Sequence, residues 1–512
     1  MENQTLLSST AAGTFAKQNA AASTTLAFLF ALLLPPKLAL LRLRKPISRI
    51  PGPWYSQWTG LVLKYHWVRG QKSRYVHALH GKYGRIVRIG PDEVSVCDID
   101  AVKTIYSVKE TFRKTPWYME FVAGVENIFS TTDIGFHRQS RRLLAAPMAD
   151  SAIQELAPRV GGHVDFAIQQ MKAESQTRKA VDVWKWWLFM TTDIIVEFTF
   201  GESFHMLQRG EENEYSYFLK NSGMFGIYRS ISPLISSLKS WLPLQSSKMA
   251  TKAIVTMYNA AADGIAIHQK MVEENGADNV KRTFFTTLFD AAQQDGTAAV
   301  SPTRLIGDGQ AFIIAGSDTT ANTLTYVVWV VSKNPFMRDA LVAELQALLP
   351  SDYTDADLRR CSLLNRIIKE TLRMHTVVPE GLPRVVPPGG AELCDFHLDA
   401  GTVVSAQPYS MHRDPAVFER PDEFDPSRWD EPTKEMGDAF MSFGRGSRVC
   451  IGQHLAQTEL RMGIARFFLT FPNARVSTRE GMSDDDMIES SYFIMSPKGH
   501  RCLIEVGQVK HG

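Results

Sequence analysis

The stretch SFGRGSRVCIG, Ser442 to Gly452, holds three glycines, two arginines and one cysteine, with no acid and no lysine. It runs into GQHLAQTELRMGIARFFLTF, Gly452 to Phe471, a strongly apolar segment with helical periodicity. Three readings compete for a loop of this kind: a phosphate-binding loop, a structural loop with an idle thiol, and a site for a metal centre that takes one thiolate. The phosphate reading is the weakest, because the loop lacks the third glycine of a dinucleotide fingerprint and has no Gly-Lys-Ser/Thr.

The thiolate reading has a physical mechanism. Cys450 stands just before a helix N-terminus, where unpaired N–H groups and the helix dipole favour an anion. Arg445 and Arg448 add positive field. Gly446 and Gly452 let backbone approach a flat ligand closely, and Phe443 shields the sulfur. One anionic sulfur with no neighbouring ligand suits a haem iron, whose equatorial positions are already filled. The idle thiol stays open, but it leaves the arginines and glycines as coincidence.

The chain has 512 residues, 44% hydrophobic and 21% charged. Length alone suggests roughly three domains. No linker, low-complexity block or repeat interrupts the sequence after Pro53, so one large domain is expected. The net charge of +2 and the scattered basic residues give no argument for nucleic acid. The five cysteines, Cys97, Cys361, Cys394, Cys450 and Cys502, are far apart and never form C-x-x-C. That argues against a disulfide framework and a structural zinc, and for a reducing compartment.

The N-terminus differs. AAASTTLAFLFALLL, Ala20 to Leu34, continues through Pro35 and Pro36 to Leu41, which reaches the ~20 residues of a spanning helix. Arg42, Arg44, Lys45 and Arg49 follow and place the next domain in the cytoplasm. A cleaved signal peptide is the competing reading; the late start and the basic cluster after the apolar run weigh against it. The expected layout is a luminal tail over 1–19, carrying the sequon at Asn3, a membrane anchor over 20–41, a basic and proline-rich hinge over 42–53, and a domain over 54–512. The expected location is the endoplasmic reticulum membrane.

Periodicity predicts a helical stretch to about Lys82, a β-hairpin over Gly84 to Asp98, nearly continuous helix from Asp100 to Gln346, and strands between Ala391 and Asp414. VWKWWLF, Val183 to Phe189, reads as packed core rather than a binding box. MFGIYRSISPLISSLKSWLP, Met224 to Pro243, reads as a segment dipping into a bilayer surface.

Phe443-Gly-Arg-Gly446-Ser-Arg448-Val-Cys450-Ile-Gly452 resembles the haem-binding signature of the cytochrome P-450 family, F-x-x-G-x-R-x-C-x-G, at every fixed position. The family's other marks follow in order. AGSDTT, Ala315 to Thr320, resembles the distal helix motif. On a helix, Ala315 and Gly316 lie about one turn from Thr319 and Thr320. Small residues there leave room for dioxygen, and Asp318 and Thr319 relay protons to it. The competing reading has Gly316-Ser-Asp318 capping a new helix from Thr319. KETLRMH carries Glu370 and Arg373 in the family's E-x-x-R. FDPSRW supplies Arg428 for a structural triad with them, with Ser427 and Trp429 departing from the family's acid and Phe. HRQSRR places His137 and Arg141 where the family has W-x-x-x-R, and LPRVV places Arg384. With Arg448, these imply contacts to the haem propionates.

The resemblance, from Pro51 to the C-terminus, implies a mainly helical single large domain with small β-sheets, the cytochrome P-450 fold, behind the N-terminal anchor. It implies haem b held by Cys450, dioxygen as co-substrate, and electrons from NADPH through a membrane-bound cytochrome P-450 reductase, with cytochrome b5 as an optional second donor. Phe312, Ala315, Gly316, Val378 and Phe493 lie in the stretches that contact substrate in this family. Their apolar character suggests a lipophilic small molecule. The expected activity is monooxygenation, and the phrasing of HRQSRR, GTVVSAQPYSMHRDPAVF and FDPSRW resembles filamentous-fungal members acting in secondary metabolism. Desaturation or ring closure without oxygen insertion is the alternative within this chemistry. A haem sensor or carrier without turnover is the alternative outside it, and the intact AGSDTT argues against that.

Overall fold

Ser301 accepts a hydrogen bond from the Arg304 N–H at 3.3 Å and Pro302 follows at the first helical position, so the longest helix among the described residues, Pro302–Lys333, starts there. It ends at Asn334, whose side chain caps the next helix, Pro335–Leu348. A second helix, Val183–Phe200, is capped by Asp182 and closed by Gly201 at φ +99°. The two helices cross closely. A Cβ on Gly309 would meet Phe200 at 2.9 Å, and one on Gly316 would meet Ile195 at 2.5 Å. Asp150–Arg178 and Gln453–Thr470 pack around this crossing and complete the main hydrophobic core.

The computed structural model describes residues 43–122, 125–212, 214–231, 245–276, 280, 282–292 and 300–507. The expected tail, anchor and most of the bilayer-dipping segment lie outside these residues. Among the described residues no helix is long and apolar enough to cross a membrane.

The fold is mainly helical with small sheets, as expected. Ile86–Gly90 and Glu93–Val96 form the expected hairpin, with Ile86 opposite Val96. Glu93–Val96 pairs in parallel with Val403–Ala406, which continues antiparallel to Arg384–Val385 and then to Arg113–Lys114. A second core of Ile86, Val94, Val404, Phe418 and Trp429 lies under this sheet. The strand pairing brings Arg384 and Lys114 side by side (register Lys114↔Arg384), which matters below.

The three tryptophans of VWKWWLF are buried, and Trp184 donates its indole N–H to Asn322 at 2.8 Å. The expected hinge over 42–53 departs from its reading in its second half. Ile47 and Ile50 are buried in the sheet core, and Arg88 donates to the carbonyls of Ser48 and Ile50 at 3.1 and 3.0 Å. That half of the hinge is thus packed onto the domain, because a buried arginine recruits its carbonyls as partners.

Candidate active site

Cys450 precedes the Gln453–Thr470 helix, with Gly452 at the N-cap. Its N–H donates to the Phe443 carbonyl at 2.8 Å, which closes the loop. Cys450 presents its exposed surface to a cavity of about 370 Å³, while the protein around it desolvates the sulfur. Burial raises its pKa, opposed by the Gly452 N–H and by Arg141. The helix terminus and one arginine therefore do not ionise this thiol by themselves; a bound metal cation does so for a coordinated thiol. All five cysteines are free, and only Cys450 lines the cavity. Among the described residues no three His, Cys, Asp or Glu side chains converge as a metal cage. A metal here would have one protein ligand, which fits an ion whose other positions a macrocycle supplies.

One wall is the Pro302–Lys333 helix. It is continuous through AGSDTT, so the reading of a new helix at Thr319 does not hold. Phe312, Ala315, Gly316, Thr319, Thr320 and Thr323 line the cavity. Thr319 donates its hydroxyl to the Ala315 carbonyl at 2.8 Å. Asp318 does not line the cavity, contrary to expectation. Its side chain is enclosed instead by the Glu214–Ile231 helix. It is buried towards Tyr215 and Lys220, where desolvation pushes it up to about 8. The room at Gly316 also has another use than expected, since the Ile195 side chain occupies the place of its Cβ.

The sequence reading missed Glu459. It lies on the helix after the cysteine loop, lines the cavity and faces Thr320. Burial raises it to about 8, which keeps it neutral near pH 7, and its Oε1 has no partner among the described residues.

Cations gather at one edge. Arg448 donates to the Thr131 carbonyl at 3.2 Å and to Glu110 at 3.3 Å. Arg384 donates to the Tyr118 hydroxyl at 2.9 Å. Arg141 donates to the Val449 carbonyl at 2.6 Å, so it holds the cysteine loop directly. Lys114 is buried, donates to the Phe129 carbonyl and stands over the Tyr118 ring. His137 lies 3.5 Å from Glu110; burial and Arg448 depress it to about 4, which leaves it neutral. His137, Arg141, Arg448 and Lys114 line the main cavity, whereas Arg384 lines a small polar pocket at its edge with Lys114 and Arg448. Three arginines thus gather near one carboxylate, Glu110, which pairs with Arg448, while burial and the neighbouring Arg384 and Arg448 push the Lys114 ammonium well below its usual range. A buried excess of positive charge wants an anionic ligand, and the two propionates of a haem match it. Sequence reasoning missed Lys114, Glu110 and Tyr118, which sit in a two-residue strand, a loop and a five-residue helix, all too short for a periodic signature.

Of the glycines expected to admit a flat ligand, Gly452 lines the cavity and Gly446 does not. Gly446, at φ +71°, lies against the Tyr106 carbonyl, where a Cβ would come within 2.0 Å. It serves loop packing.

The expected triad is formed. Glu370 is fully buried, takes two bonds from Arg373 at 2.8 and 2.9 Å, and accepts from Arg428 at 2.9 Å. Trp429, one of the departures in FDPSRW, also donates its indole N–H to Glu370 at 2.9 Å. The cluster reaches the cysteine loop through His412, whose Nδ1 donates to the Arg373 carbonyl at 2.9 Å while its Nε2 accepts the Met441 N–H at 2.8 Å, and through Ser442, which donates its hydroxyl to the Leu372 carbonyl at 2.5 Å. Val378 and Phe493 also line the cavity.

A haem-protein cavity with a single sulfur, a cationic edge and an apolar wall is the class these elements define. A family profile described as Cytochrome P450 matches residues 50–504, and the chain belongs to that family. It is similar to the cytochrome P450 monooxygenase tazI of Aspergillus terreus, with 44% identity over 464 residues, covering 90% of this chain and 94% of that protein. It is 38% identical to the cytochrome P450 monooxygenase orf2 of Aspergillus niger, over 90% of this chain and 93% of that one. It is 30% identical to the cytochrome P450 monooxygenase aflV of Aspergillus parasiticus, over 90% and 91%.

Proposed function

We propose that this chain is a haem-thiolate monooxygenase that oxidises a lipophilic small molecule in fungal secondary metabolism. The observation that carries the reading is Cys450, alone among the cysteines in opening onto a large apolar cavity whose one edge holds an excess of buried cations. Membership of the family, and likeness to monooxygenases of Aspergillus species, support it. The resemblance of HRQSRR and FDPSRW to filamentous-fungal phrasing supports the metabolic setting.

When bound, the haem supplies activation of dioxygen. The protein's own groups do the rest. Cys450 holds the iron through its sulfur, and Phe443 covers that sulfur. Lys114, Arg384 and Arg448 take the propionate edge, with neutral His137 donating beside them. Thr319, on the cavity wall, would offer the proton of its hydroxyl, which here is held on the Ala315 carbonyl, to the dioxygen chemistry that a bound haem would supply. The apolar wall of Phe312, Ala315, Val378 and Phe493 excludes water and receives the substrate. Electrons come from NADPH through a reductase on the same membrane. The chain is anchored in the endoplasmic reticulum by residues 20–41, with the domain on the cytoplasmic side.

The test compares metabolites of the host with and without the gene by accurate mass. A precursor one oxygen lighter than the missing product supports oxygen insertion. A precursor heavier by two hydrogens replaces it with desaturation or ring closure.

A further inference from the structure

Phe493 is the sole residue at the apex of a hairpin whose strands are Glu489–Tyr492 and Ile494–Pro497, with Tyr492 opposite Ile494. Its φ is +82°. A bulky aromatic residue rarely adopts that conformation, and it persists only where the surroundings over-determine it. Asparagine or glycine would make the same turn without strain. The ring lines the cavity and packs at centroid distances of 5.7, 5.1 and 5.6 Å from Trp117, Phe121 and Phe129.

Behind this apex lies a buried acid that the chemistry above does not use. Glu380 is 1% exposed and stands in the loop between Val378 and Leu382, both cavity residues. Its Oε1 accepts the Ser491 hydroxyl at 3.0 Å and the Phe493 N–H at 3.4 Å. Its Oε2 lies 3.6 Å from the ammonium of Lys72, which itself sits 3.8 Å from the centroid of the Trp67 ring. Trp67 in turn packs on Trp117 at 5.6 Å. Neither Glu380 nor Lys72 lines the cavity. A second tie joins the same two segments, the Met495 N–H to the Val377 carbonyl at 2.8 Å. From above, Gly223 lies flush on the apex, where a Cβ would come within 2.2 Å of the Tyr492 carbonyl.

A carboxylate removed from water is costly unless a cation and hydrogen-bond donors surround it. Here the donors are the apex of the hairpin itself. We infer that Glu380, paired with Lys72, is a positioning residue that fixes Phe493 as a rigid wall of the substrate chamber and so selects which apolar ligands fit. The inference rests on reading this cavity as a haem-bearing substrate chamber.

The test uses the haem-loaded chain and two probes, imidazole and 4-phenylimidazole. Both bind haem iron through nitrogen and shift its main absorption band, but only the second carries a ring that must fit against the wall. Glu380→Gln and Phe493→Ala are each expected to weaken 4-phenylimidazole by about tenfold while leaving imidazole within about twofold, and the double variant is expected to be no worse than Phe493→Ala alone. Ser491→Ala, which keeps the ion pair, is expected to lower the same selectivity ratio by about threefold. Equal weakening of both probes in Glu380→Gln, an unchanged ratio in Ser491→Ala, or additive losses in the double variant overturns the inference while the haem reading stands. No spectral response of the unmodified chain to imidazole overturns the haem reading and this inference with it.

Discussion

Arg141 donates to the carbonyl of Val449 across 2.6 Å, so a guanidinium on the Ile134–Ala145 helix grips the residue immediately before Cys450. This is the most direct link between the cation edge and the sulfur. It places Arg141 in control of the loop's position as well as of local charge. Arg141→Ala is expected to cost about 1.5–3 kcal/mol, the scale of a lost hydrogen bond to a charged group, and to speed haem loss. Arg141→Lys is expected to restore part of both. Urea midpoints and haem transfer to an acceptor protein measure them; equal behaviour of the two variants would contradict a directional grip on Val449.

Glu370 offers a graded series. Trp429→Phe removes one of its donors and leaves the Arg373 and Arg428 bonds in place, so a loss of about 1–2 kcal/mol is expected. Arg373→Ala leaves a fully buried carboxylate without its main partner, and about 3–5 kcal/mol is expected, enough to prevent recovery of folded, haem-loaded protein. Chemical denaturation of the two variants in parallel gives the order. A Trp429→Phe variant as damaged as Arg373→Ala would show that the cluster does not act by adding partners.

The close crossing at Gly316 predicts a clash. Gly316→Ala puts a methyl group where Ile195 already sits, and overpacking of this kind costs about 1–3 kcal/mol. Ile195→Ala in the same chain is expected to recover much of that loss, although each change alone destabilises. Thermal unfolding of the two single variants and the pair tests it; simple addition of the two losses would rule out direct contact.

Asp318 predicts a pH dependence. Its carboxyl is raised from 3.8 to about 8 by burial. Between those values the unfolded chain has lost the proton and the folded chain keeps it, so this group makes stability fall as pH rises. Asp318→Asn is neutral at every pH. The variant is therefore expected to gain on the unmodified chain as pH climbs through that window, with the gain complete above about 8. A stability difference that stays constant with pH would show that Asp318 is not held protonated by the fold.

What the sequence revealed depended on whether a residue's task is local. The cysteine loop, the hairpin at Ile86–Val96 and the pair Glu370–Arg373 are set by short-range spacing, and all three were legible. Asp318 was misplaced because a motif names residues in order and does not show which neighbours bury them; Tyr215 and Lys220, from a helix about a hundred residues earlier, stand beside this one. Gly446 was misread for a related reason: a glycine shows that something comes close, without showing that the something is Tyr106. Glu110, Glu459 and Glu380 were invisible because each acquires its partner from an element more than a hundred residues away, and Lys114 because it sits in a strand only two residues long.

The most direct measurement of the central claim is the absorption spectrum of the purified, reduced protein under carbon monoxide, beside that of Cys450→Ala. A strongly red-shifted Soret band in the unmodified chain, absent from a variant that remains folded by circular dichroism, is the predicted result. An imidazole-type spectrum, or an unchanged band in Cys450→Ala, would contradict the assignment of Cys450 as the ligand of a haem iron.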